Sequence, residues 1–143
     1  MTNKLNDIGL LILRLTFGII MLAAHGYPKL VRLLSGNEIK FFDPFGVGES
    51  LSFILAISAE FVGAAFLTLG IFSRLSSLSL MITMFVAAFL YHADDPFKAQ
   101  EKAILFFAGY TVLFIMGPGK YALQKLIDEK LKIKNGVLKF LFS

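Results

Sequence analysis

The side chains able to do chemistry are few, and the most telling ones lie inside apolar runs. Arg14 stands alone in GLLILRLTFGIIMLAAHG (residues 9–26), and Glu60 is the one charge between Leu51 and Phe72. An isolated charge at such depth in an apolar helix costs at least ~2.5–3.5 kcal/mol on insertion scales, so each demands a partner inside the bundle. The depths implied by their positions differ by roughly 6–8 Å at 1.5 Å per residue, within reach of an arginine side chain. The sequence therefore predicts an Arg14–Glu60 pair. A buried acid beside a cation titrates at a displaced pKa, which suits proton exchange, so Glu60 and Arg14 are the candidate catalytic residues.

Around this pair the polar residues form an ordered series. His25 and His92 close the first and third apolar runs on one side, and Glu101 and Lys102 enter the fourth run from that side. They are the candidate substrate-binding residues of a polar funnel, with the histidines at its mouth and Arg14–Glu60 at its base. Arg14, Gly18, Met21 and His25 share one helical stripe, and Gly18 allows a second helix to approach beside the arginine. Each feature also has a structural reading. Arg14–Glu60 can be a fixed clasp, His25 a helix-end cap, His92 a solvated loop histidine beside Asp94 and Asp95, and Lys102 a snorkelling lysine. Nothing in the histidine spacing demands a metal, and Met81 and Met84 read as packing.

The elements that must position these residues are membrane spans. Of 143 residues, 57% are hydrophobic and 17% charged, against about 25% charged in soluble domains. Mean hydropathy is +0.75. Four apolar segments give helices over about 8–25, 51–72, 75–92 and 96–117, the last opened by Asp95-Pro96 and stopped by Gly117-Pro118-Gly119. The fold class is all-α: an integral membrane four-helix bundle forming a single domain, 1–143. Its long outer loop runs from Gly26 to Ser50, where YPKLVRLL reads as a short amphipathic turn at the interface. Ser73-Arg74 is the tight link between the second and third helices. The segment 120–143, with lysines among Leu123, Leu126, Ile127 and Leu131, reads as an amphipathic tail on an anionic membrane surface. Met1 to Ala24 also has the outline of a signal peptide, but a mid-core arginine and three further spans favour a membrane helix.

Lys4, Arg74 and the lysines from Lys120 to Lys139 flank one side of the spans, and acids gather on the other. The bias of basic residues places both termini in the cytoplasm. A pI near 9.4 is accounted for by those lysines, and nucleic-acid binding is not implied. There is no cysteine, so neither disulfides nor thiolate metal sites can form. Redox chemistry would need a bound cofactor, a quinone, a metal on other side chains or a partner protein.

LRLTFGIIMLAAHGYPKL, SAEFVGAAFLTLGIFSRLSSLSLMITMFVAAFLYH and EKAILFFAGYTVLFIMGPGKYAL together resemble the DoxX family of small four-helix membrane proteins. The arginine of the first helix, the HG-x-x-KL exit, the glutamate of the second helix and the GPG-x-Y stop occur in order. The resemblance covers roughly residues 8–125 and carries to Arg14, His25, Gly26, Lys29, Glu60, Lys102 and the Gly117–Gly119 stop. It implies a bacterial or archaeal plasma membrane, a redox-associated (quinone-linked) subunit with quinone as the cofactor class, and a soluble or membrane redox partner. The alternative is a non-catalytic anchor, assembly component or small-solute carrier in which Arg14–Glu60 is a clasp. Lipid-facing surfaces this large are compatible with a homodimer.

Overall fold

The computed structural model describes residues 4–124 and 136–142. It is an all-helical, integral membrane four-helix bundle, with no strand among the described residues. The spans are α1 (Lys4–Leu34), α2 (Glu49–Leu69), α3 (Ser73–Tyr91) and α4 (Phe97–Met116), followed by a short α5 (Gly136–Leu141). The shortest span has 19 residues, close to the ~20 needed to cross ~30 Å of hydrocarbon. Large aliphatic side chains such as Ile12, Ile19, Ile54 and Ile115 are exposed around the bundle, as expected of a surface solvated by the lipid bilayer.

Inside, Met21, Leu67, Leu80, Tyr110 and Leu113 are fully buried. Small residues set how closely the helices approach. A Cβ at Gly18 would run into the Thr68 side chain and stand 3.2 Å from the Ala64 carbonyl oxygen, so α1 and α2 touch there as the sequence predicts. A Cβ at Gly109 would overlap the Phe17 ring, which meets Phe106 and Tyr110 edge-on at 5.2 and 5.9 Å.

α1 does not end at His25 as its sequence pattern implies; it continues to Leu34. The reason is a π-turn over Leu22–Gly26, closed by the Tyr27 amide donating to the Leu22 carbonyl. Proline inside a helix lacks a donor and crowds the carbonyl four residues before it. A widened turn just ahead of Pro28 accommodates both defects, so YPKLVRLL extends the span instead of forming a separate element. Similar π-turns interrupt α2 at Ser58–Gly63 and α3 at Ala87–Tyr91. Such turns often mark functional positions.

Two boundaries shift for local reasons. α2 stops at Leu69 because Gly70 and Phe72 take left-handed conformations, with φ 72° and 47°; Ser73 and Arg74 then open α3 instead of linking the helices. At the start of α4, Asp95 does not cap the helix. Its carboxylate meets His92 Nδ1 at 2.6 Å, and Pro96 is the N-cap. The stop at Gly117-Pro118-Gly119 is as read from the sequence, with Gly117 at φ 78°. The amphipathic reading of the tail falls largely on residues 125–135, outside the described residues.

At the end of the bundle that carries both termini, the chain after α4 folds back across the helices. The Leu123 and Gln124 amides donate to the carbonyls of Leu69 and Gly70, and Gln124 Oε1 accepts the Phe72 amide at 2.8 Å. Buried Asp7 accepts the Lys120 amide at 3.0 Å. At the opposite end, Asp43 organises the loop between α1 and α2 by accepting from the Val47 and Gly48 amides and from Ser52 Oγ. Desolvation acts to raise the Asp43 pKa. The hydrogen bonds from Gly48, Ser52, Val47 and Phe45 together outweigh it and hold the carboxyl below its ordinary 3.8.

Candidate functional site

The predicted Arg14–Glu60 pair does not form. Arg14 is 2% exposed, and its Nη1 and Nη2 donate to the Pro118 and Tyr121 carbonyls at 2.8 and 2.9 Å. The receiver of this charge is thus the backbone of the returning segment, just past the glycine-proline stop. A guanidinium presents several donors in a rigid fork, so free carbonyls beyond a helix end can receive it without a carboxylate; among the described residues its Nε has no hydrogen-bond partner. Arg14 lies at the termini end and has no part in the cavity described below.

Glu60 pairs instead with Lys29. The two meet because the π-turns of α1 and α2 pack backbone to backbone. A Cβ at Gly26 would lie 2.6 Å from the Glu60 carbonyl carbon and 2.8 Å from Phe61 Cα, so glycine is required there. Continuation of α1 past Gly26 then carries Lys29 over the Glu60 carboxylate. The Glu60 side chain is 5% exposed and that of Lys29 24%, so the pair lies between the bundle interior and an open space.

That space is a cavity of about 840 Å³ at the loop end, reached by α1, α2, α3, α4 and the loop. Glu60, His25, His92 and Lys102 all line it, so four of the six predicted site residues converge. His25 is half-buried, edge-on to Phe106 at 6.1 Å, and shares the cavity wall with Glu60, Lys29 and Lys102. Glu101 is exposed and does not line the cavity. The inward stripe of α4 is Lys98, Lys102 and Phe106 with Ala99 and Ala103 beside it, and one residue off that stripe turns the side chain about 100° away.

Sequence reasoning missed Lys29 as the partner of Glu60, although Lys29 follows His25 by four residues and shares its face wherever the helix continues. Arg32, Lys40 and Lys98 also line the cavity, and none of them was singled out from the sequence. The loop adds Phe41 and Phe42, which pack against Phe53 at 5.1 Å and Tyr91 at 5.4 Å. Tyr110 is fully buried and donates to the Phe17 carbonyl at 3.3 Å. Among the described residues no group of three or more His, Asp or Glu side chains could hold a metal ion.

The DoxX family model matches residues 9–93, which include Arg14, His25, Lys29, Glu60 and the whole of α2. The chain belongs to the DoxX family. It is also similar to the inner membrane protein YqjF of Escherichia coli (strain K12), with 26% identity over 134 residues, covering 90% of this chain and 98% of that protein. No solved structure matches it. Its four apolar spans and this relative make it a multi-pass, inner-membrane DoxX protein.

Proposed function

We propose that this DoxX protein holds a lipid-soluble molecule with a polar head, of the quinone class, in its loop-end cavity and acts as a redox-associated subunit. The observation that supports this reading is Glu60: a carboxylate near the middle of a membrane span, charge-paired with Lys29 and placed at the wall of a largely apolar cavity. A paired acid at a cavity wall can pass protons to and from a bound headgroup. Electrons come from a redox partner, and the protons that accompany quinone reduction pass by way of Glu60, with His25 beside it. Leu55 and Ile82 line the cavity and are also 55% and 52% exposed on the bundle surface, so a molecule dissolved in the bilayer can enter from the side. Both termini face the cytoplasm in this reading, and the cavity faces outward.

Quinone binding and quinone-dependent turnover by the purified protein with its partner test the proposal. Glu60→Gln should leave the fold intact and lower turnover by ten-fold or more, because a carboxamide accepts hydrogen bonds but transfers no proton. Equal turnover by the variant would remove Glu60 from that role.

A further inference from the structure

Charge at the loop end is segregated. Every lysine and arginine there (Lys29, Arg32, Lys40, Lys98 and Lys102) lines the one cavity. Of the acids at that end, only Glu60 does. Asp43 is consumed by the amides of its own loop, Asp95 by His92, and Glu49 by the Phe41 amide. Glu38 stands 3.8 Å from Lys40 on the exposed side of the loop. Glu60 balances Lys29, and Arg32 donates to the Lys40 carbonyl while facing the Phe53 ring at 5.3 Å. Among the described residues, Lys98 and Lys102 have no carboxylate within ion-pair distance. Snorkelling alone would spread lysines around the rim of the bundle. Here they come from α1, the loop and α4 and converge on one space, whose remaining walls include Phe41, Leu55, Ile82, Met84 and Phe106.

We infer that the cavity has a subsite for an acidic amphiphile: a phosphate- or carboxylate-type head held by Lys98 and Lys102, with an apolar chain along the Leu55–Ile82 side. This rests on the reading of the cavity as a ligand site and adds the charge of what it takes. Cations around a low-dielectric cleft focus potential on it and draw in anions. The apolar walls favour an anion that brings hydrocarbon with it over a free one.

Native mass spectrometry of the full-length protein in neutral detergent tests this directly. Phosphatidic acid should bind at least ten-fold tighter than phosphatidylcholine of identical chains, and Lys98→Gln with Lys102→Gln should abolish that preference. Lys4→Gln with Lys120→Gln, at the opposite end, should leave it unchanged. Glu60→Gln should retain or strengthen phosphatidic acid binding, because it frees Lys29, even as it lowers quinone turnover. That opposite response separates the two proposals. Equal binding of the two lipids, or equal loss in the Lys4 and Lys120 variant, would overturn the inference. Inorganic phosphate competing as well as the lipid would reassign the subsite to a soluble anion and remove its apolar half.

Discussion

The two ends of α1 solve the same problem in opposite ways. At the termini end, Arg14 is buried against the carbonyls of Pro118 and Tyr121, and Asp7 against the Lys120 amide. Each charge meets backbone, and Arg14 does not line the loop-end cavity. At the loop end, Lys29 meets Glu60 side chain to side chain, beside a cavity of about 840 Å³ lined by further cations. Charges held by backbone tie the chain's return to the bundle. Charges satisfied by each other at a wall can exchange partners. One cluster ties the chain to the bundle; the other stands at a cavity wall, where the proposed function places its work.

The largest effect that would break this comparison is expected at Arg14. Arg14→Met removes two hydrogen bonds from a charged donor and orphans the Pro118 and Tyr121 carbonyls. At about 1.5–3 kcal/mol per charged bond, the loss should be about 4 kcal/mol, read as a large fall in Tm in detergent. Exchange of charges between Arg14 and Glu60 should rescue nothing. Preserved stability would mean that the termini-end knot is not held by Arg14.

A smaller effect is expected at the Lys29–Glu60 pair. Lys29→Met leaves a buried, unpaired carboxylate, for which about 3–5 kcal/mol is typical. The Lys29 side chain is itself 24% exposed, so a loss at the lower end of that range is expected. Lys29→Met combined with Glu60→Met should recover most of it, because the orphaned charge is gone. A double variant as unstable as the single would show that the two residues are not coupled, and chemical denaturation in detergent decides it.

The smallest effect concerns the loop over the cavity. The folded Asp43 carboxyl titrates below its ordinary 3.8, so its contribution is present above that value and is lost as pH falls through the lower, folded one. Hydrogen exchange at the Val47 and Gly48 amides should therefore accelerate below about pH 3.8. Asp43→Asn should weaken the protection and remove its pH dependence. Protection in the variant that still fell at low pH would assign the effect to another group.

Much of the fold is legible in the sequence because lipid imposes a simple rule. Apolar runs of about 20 residues must be helices, since every backbone group in hydrocarbon has to be satisfied within its own segment. Composition and hydropathy thus determined four spans, and helical periodicity determined the close approach at Gly18. The stop at Gly117–Gly119 follows from glycine and proline chemistry. His25, Glu60, His92 and Lys102 were legible as members of one group, but the same depth reasoning also enrolled Arg14 and Glu101, which do not line the cavity. Partnership was not legible. Depth along a helix says how far down a charge lies, not which neighbour faces it, and main-chain acceptors carry no sequence signature. Only the tertiary structure decided that Arg14 binds carbonyls of the returning segment. It also decided that a π-turn carries α1 through Pro28 and sets Lys29 on Glu60, and that the basic residues of the loop end converge on one cavity while Glu101 faces away. The sequence by itself determined where the charges lie in the membrane; the packing of α1 against α2 at Gly26 and the fold-back after α4 decided what each charge touches, because both depend on backbone contacts between residues distant in the chain.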